Sequence, residues 1–338
     1  LERLKSEYTN VRAVLKWSLE PETEDLTLGA RLTGALSWFW FTLSYIQEGR
    51  QWVDKILPYK NKVATSLVPR LLNSAGTISF LQSELEEADQ LHQEAIALAR
   101  QLGDRWQVGF SLGALAVQLA YRGRFEEAVK TAEEGLEVAR ETGDRWLIVD
   151  LHFVLISSLT YLGKLEKAEI LAKECLRLSN KLANKQLLGY TYLYLGKLYK
   201  AQSRLRQARD YLEKSLVIWQ TLGDQRTILD AVISLAGVLF AQGDQFQAEE
   251  LLTDNLKQSE DLGNPHLIAR SLQALGELAL QRNDIKKAIL YLEQSLSLFE
   301  EIGDRLGQIV VVPLLKRLET ETWSNGYNKL HKESFGKS

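Results

Sequence analysis

The chain has a single cysteine, no methionine and no surplus of charge of either sign. The lone Cys175 excludes a disulfide framework, so nothing calls for an oxidising compartment and a cytoplasmic setting is expected. With 41 basic and 44 acidic residues the formal charge is -3. That balance lacks the positive surplus of a dedicated nucleic-acid binder, and no direct nucleic-acid contact is expected. Long apolar runs are missing too. The richest, Leu36 to Ile46, carries polar residues and falls well short of the ~20 residues of a bilayer span, so no membrane segment is expected. Because the chain opens at Leu1 inside a helical pattern, a further part upstream is expected, and no signal peptide can be judged.

Catalytic signatures are equally scarce. No Gly-x-x-x-x-Gly-Lys-Ser/Thr phosphate loop occurs. His92, His152, His266 and His331 are scattered, without metal-ligand spacing. Cys175 stands alone at a small-residue position, which suits core packing better than a nucleophile. Glu126-Glu127 and Glu133-Glu134 read as a solvated helix face. No catalytic residue, metal or cofactor is therefore assigned, and a binding protein rather than an enzyme is expected.

What is present is a beat of forty residues. Gly103-Asp104-Arg105, Gly143-Asp144-Arg145, Gly223-Asp224, Gly263-Asn264 and Gly303-Asp304-Arg305 mark it, and Ala183-Asn184 keeps the register without the glycine. A fixed period of this size is the mark of a repeat solenoid. Within one period, Trp106 to Tyr121 carries one helical pattern and Phe125 to Thr142 a second, separated by a short break at Arg122-Gly123-Arg124. Gly143 supplies the left-handed residue that ends the second helix, and Asp144 caps the next. The short turn recurs as Ser83, Gly123, Gly163, Ser203, Gly243 and Asn283. Five residues later stand Ala88, Ala128, Ala168, Ala208, Ala248 and Ala288, where the second helix of a pair must cross the first closely. A further small position follows at Ala95, Gly135, Cys175, Ser215, Asn255 and Ser295.

The first-helix pairs Leu195-Gly196 and Leu275-Gly276, the turn glycine and the early alanine together resemble the tetratricopeptide repeat, in its longer-helix form. The resemblance implies an all-α fold, a right-handed superhelical solenoid of antiparallel helix pairs, about six of them, with a capping helix over residues 63–323. Residues 1–62 would form an N-terminal helical cap or linker, and residues 324–338 a polar tail. The capping helix, from Leu306, is expected to be interrupted at Pro313.

The N-terminal segment is off the beat. Glu7, Asn10, Arg12, Leu15 and Trp17 form one cluster; Phe39-Trp40, Glu48-Gly49-Arg50 and Trp52 form another. Both resemble the helical segment that follows the ATPase part of STAND-type regulators, although Ser44 stands where that family has glycine. Their tryptophans are expected to bury against the first repeat.

In tetratricopeptide solenoids the first helix of each pair lines the concave face. Carrying that over assigns a groove to Asn73, Phe110, Tyr121, Asp150, Phe153, Tyr161, Tyr190, Tyr194, Lys197, Asp230, Arg270 and Glu277, with Arg70, Thr77, Val117, Ser157, Leu193, Lys200, Ile233 and Gln273 beside them. Tyr121 and Tyr161 share a register position and should stack; Asp150, Tyr190, Asp230 and Arg270 form a second ladder. Aromatic area with a few convergent polar groups suits a ligand groove. Asn73 and Lys197 lie too many repeats apart for a clamp on a peptide C-terminus. Trp106 and Trp146, just past two caps, read as packing between repeats. Three readings follow. The first is a sensor module of a STAND-type signalling or transcriptional regulator. It would bind a peptide, a protein segment or a small inducer, and its ATPase would lie upstream. The second is a free-standing protein-interaction scaffold, and the third, least supported, an enzyme.

Overall fold

The computed structural model describes residues 2–19, 26–42, 45–82 and 84–318. Ser44, Ser83, His331 and the tail from residue 319 lie outside them. The described residues are helical throughout, with short connections and no strand among them. Three helices come first: α1 (Glu2–Trp17), α2 (Leu26–Thr42) and α3 (Ile46–Ile56). Two 3-10 turns, Leu57–Lys62 and Thr65–Leu67, lead into the paired helices. The pairs are α4 (Val68–Leu81) with α5 (Leu85–Gln101), α6 (Arg105–Tyr121) with α7 (Phe125–Thr142), and α8 (Arg145–Tyr161) with α9 (Leu165–Leu182). They continue as α10 (Lys185–Ala201) with α11 (Leu205–Leu222), α12 (Gln225–Ala241) with α13 (Gln245–Asp261), and α14 (Pro265–Gln281) with α15 (Ile285–Glu301). A last helix, α16, spans 305–318 and runs through Pro313 without the expected break. A single proline removes only one backbone donor, and the helix bonds on either side of it persist.

Why these residues make this pattern is visible at each joint. Every cap read from the beat is made: the side chains of Asp104, Asp144, Asn184, Asp224, Asn264 and Asp304 accept from the backbone N–H three residues on, at 3.0–3.1 Å. Asp244 and Asp284 cap α13 and α15 in the same way, at 3.2 Å each, although they stand outside the beat. The residues before the caps are left-handed, with φ of 64–70° at the five glycines and 49° at Ala183. The turns inside the pairs from α6–α7 onward are left-handed as well, including Ser203 and Asn283 at 59°. All six early alanines of the second helices are fully buried. At Gly196 and Gly276 an added Cβ would sit 2.5 Å and 2.7 Å from Cγ of Leu212 and Leu292, so the paired helices touch there backbone to side chain.

Contacts divide the chain into two units, one of residues 1–120 with 124–194, the other of 121–123 with 195–338. In the first, α8 packs between α7 and α9, and α4 packs against α5 and α2. Its N-terminal core gathers Leu15, Trp40, Ile56, Leu71, Leu72 and Ile78. In the second, α12 packs between α11 and α13, and α14 between α13 and α15. Ala269, Leu292, Phe299, Val311 and Leu318 form the core at its end. No helix among the described residues is long and apolar enough to cross a membrane.

Candidate functional site

The N-terminal clusters are joined by one contact. Arg12 of α1 donates twice to Glu48 of α3, at 2.7 Å and 2.5 Å. Beneath it Trp40 donates its indole N–H to the Tyr8 hydroxyl at 2.6 Å. Gly49 lies on the Trp40 ring, where a Cβ would come within 2.8 Å. Arg50 reaches forward to Asp54, Glu84 and Glu87, tying α3 to α5. Trp40 and Trp52 are buried as expected. Trp17, at 45% exposure, is not: it stands on the face of α1 turned away from the buried Leu15 and Ser18.

The first unit contains a cavity of about 510 Å³ walled by α2, α4, α6 and α8. It is lined mainly by apolar and aromatic groups, Phe80, Trp106, Phe110, Val117 and Trp146 among them. Trp106 and Phe110, one turn apart on α6, stack at 5.2 Å and 12°. Trp106 is fixed further by donating its indole N–H to Asp144 Oδ2 at 2.7 Å, while the other oxygen of the same carboxylate caps α8. Trp106 thus stands between repeats, bonded to the cap of the next pair, and both tryptophans also line the cavity, Trp146 with 38% of its surface exposed. The available signal was a tryptophan repeated at forty residues, each with a groove position one turn later.

The polar groups of the cavity divide into spent and unspent. Asn73, assigned to the groove, is 2% exposed. Its amide donates to Ser111 at 2.7 Å and its oxygen meets His92 Nδ1 at 2.9 Å. Burial holds His92 well below the ordinary imidazole value, at about 4, so it is neutral. Arg70 donates to the Gly34 carbonyl at 3.3 Å. Asp150 is half-buried, and removal from water raises its carboxyl to about 6.

Farther along the first unit, Phe153 is buried and carries two of the assigned tyrosines. Tyr194 stacks on it at 5.0 Å and 12°, and Tyr190 leans against it at 5.8 Å. Tyr161, 53% exposed, stacks on Phe125 at 4.9 Å and 6°, a partner from α7 in place of the register equivalent expected. Tyr121 closes α6 and falls in the second unit. Cys175 meets Thr191 at 3.3 Å in the core, and burial pushes its thiol up to about 12, so it is an inert packing group.

In the second unit the register ladder closes on itself. Asp230 accepts from Lys197 at 2.8 Å and from Arg270 of the next pair. Burial alone would raise the Asp230 carboxyl, but Arg270 and Lys197 outweigh it and hold the group below the ordinary range. Burial lowers the Lys197 ammonium despite Asp230 beside it. Lys200 is lowered by the same cause, with Glu277 countering, and Glu277 accepts from Gln273 at 2.8 Å. No group of three or more histidine, cysteine or acidic side chains is placed to hold a metal among the described residues.

Comparison with known proteins bears on this geometry. The tetratricopeptide repeat model matches residues 67–141, 151–221 and 228–301. The chain belongs to the tetratricopeptide repeat family. No curated protein matches it. Among solved structures it is similar to a Rap protein complexed with competence and sporulation factor, at 14% identity and a TM-score of 0.62, covering 95% of this chain and 99% of that one. It is similar as well to NprR in complex with its cognate peptide NprX, at 17% and 0.60, over 93% and 94%. A STAND protein with a tetratricopeptide repeat sensor, PH0952 from Pyrococcus horikoshii, matches at 17% and 0.53 over 78% of this chain and 42% of that one. At these identities the likeness is one of fold.

Proposed function

We propose that this tetratricopeptide chain is a non-catalytic sensor module that binds a peptide or an extended protein segment on the first-helix face of its repeats. The observation carrying this is the cavity of the first unit. It is large enough for one or two side chains, mainly apolar, and bounded by aromatic rings, of which Trp106 is held in place by the cap residue Asp144. Aromatic anchors lose little conformational entropy on binding, and a preformed apolar hollow with few polar groups is how ligand sites are commonly built. Two of the structural neighbours were solved with a peptide or factor bound, which supports the same reading. Binding would act by favouring one arrangement of the repeats over another.

The test is retention of a randomised pool of end-blocked hexapeptides on the immobilised chain. Native chain should retain a subset, and Trp146→Ala should release it while far-ultraviolet helicity stays unchanged. Retention indifferent to Trp146, or none at all, would sink the proposal.

The N-terminal segment favours a more specific version, in which the sensor serves a STAND-type regulator. The Arg12–Glu48 contact joins the two clusters that carry that resemblance, and a STAND protein with a repeat sensor is among the structural neighbours. Reading the gene upstream of Leu1 decides it. A phosphate-loop motif there is expected, and its absence would leave the free-standing scaffold.

A further inference from the structure

One register position recurs through the repeats as Phe110, Asp150, Tyr190, Asp230 and Arg270. Two of its occupants are carboxylates, and the structure treats them oppositely. Asp230 is neutralised within its own unit by Lys197 and Arg270. Asp150 receives no hydrogen bond and no ion pair from the described residues, although it is half-buried in the wall of the cavity. The other charged residue lining that cavity, Arg70, is directed to the Gly34 carbonyl, and His92 is occupied by Asn73. A carboxylate held in an apolar hollow without a partner costs stability, and the cost is recovered when a cation arrives.

The neighbours of Asp150 fit a particular cation. Trp146 lies one turn before it on α8, and the Trp106–Phe110 stack holds the equivalent two positions on α6. Aromatic faces attract cations and cover the methylene stem of a long side chain, and a planar guanidinium gains the most from both. We propose that the cavity of the first unit takes a basic side chain of the bound peptide, arginine or lysine, with its head on the Asp150 carboxylate and its stem against Trp146 and Phe110. This rests on the peptide reading above and adds the chemical class of the residue recognised.

The test compares sequences retained from the randomised hexapeptide pool at pH 7.5 by native chain, Asp150→Asn and Asp150→Glu, each checked for unchanged helicity. Arginine and lysine should be enriched about tenfold over the input on native chain. The enrichment should vanish on Asp150→Asn and persist on Asp150→Glu. Peptides retained without a basic bias, or with a bias that survives Asp150→Asn, would overturn the assignment of Asp150 and leave the peptide reading standing. An empty column would overturn the peptide reading itself, and this inference with it.

Discussion

Replacing Asp230 with asparagine is the sharpest test of how the second unit is held together. The side chain keeps its shape and loses its charge, so Lys197 and Arg270 lose the carboxylate they share. Breaking a fully buried pair in this way costs about 3–5 kcal/mol, and losing an exposed pair ~1 kcal/mol or less. Here the side chains of Asp230, Arg270 and Lys197 are 17%, 25% and 33% exposed, which places the triad between those limits. We expect a loss of about 2 kcal/mol. Urea unfolding followed by far-ultraviolet circular dichroism measures it, with an unchanged denaturant slope as the check that the unfolded ensemble is the same.

The same substitution carries a pH signature. Because the folded carboxyl lies below its unfolded value of ~3.9, its contribution is fully present above about pH 4 and is lost as pH falls through the folded value. Native chain should therefore exceed Asp230→Asn by a constant margin from pH 7 to pH 5, and the margin should close only in strong acid. A difference below about 0.5 kcal/mol at pH 7 would refute the reasoning and show that water screens the triad as it screens a surface pair. Replacing all three residues together by Met, Leu and Met should be neutral or stabilising, since no charge is then left unpaired.

Three further outcomes follow from particular contacts. Ala183→Gly should stabilise the chain by about 1 kcal/mol in the same urea assay, because Ala183 holds φ 49° where the other repeats place glycine. Asp150→Asn should raise stability by about 1 kcal/mol at pH 7. The folded carboxyl titrates near 6 and the unfolded one near ~3.9, so the native penalty grows as pH rises between those values and is absent below both; an equal gain at pH 3 would contradict this. Asp144→Ala should cost about 1 kcal/mol from the lost cap and release the Trp106 indole, shifting one of the eight fluorotryptophan resonances in labelled protein, whereas Asp144→Asn, with one acceptor oxygen in place of two, should keep the cap and its stability but still shift that resonance.

Much of the fold could be read before any coordinates, because the repeat imposes the same local chemistry at fixed intervals. Glycine and aspartate stand at the beat because a left-handed residue and a cap are needed there. The break at Ala183 keeps the left-handed turn at a strain that alanine tolerates. Asp244 and Asp284 escaped notice because the pairs α4–α5, α6–α7, α8–α9 and α10–α11 place Glu84, Arg124, Lys164 and Arg204 at that position, and none of these caps.

The site was harder to read, for a physical reason. Register tells which face of the stack a side chain occupies, but not which neighbour takes up its polar atoms. Asn73 and Lys197 lie on the assigned face and are both spent, one on His92 and Ser111, the other on Asp230. The reach of a long side chain into the adjacent repeat depends on what stands there, and the repeats differ most at those positions. Trp106 and Trp146 show the converse: a place beside a cap points to packing between repeats, but does not tell that the first turns of α6 and α8 also open on the cavity.

Asp144 shows how closely scaffold and site are joined. One of its oxygens closes the N-terminus of α8, a duty that every repeat requires, and the other holds the Trp106 ring in the cavity wall, as Asp304 caps α16 with one oxygen and sets the other 3.3 Å from His266 Nε2. The cap is set by the backbone and recurs every forty residues, so it positions whatever residue follows it with little added cost. A solenoid can therefore exchange the side chains on its inner face repeat by repeat while the caps and alanines keep the helices in register. At the position of Phe110 that exchange has produced a ring, an open carboxylate, a second ring, a neutralised carboxylate and its neutralising arginine in turn. Of its two carboxylates only Asp150 lines, beside Phe110, a hollow that a ligand side chain could fill, and for that reason we propose recognition by the first unit, whereas the triad of the second serves cohesion.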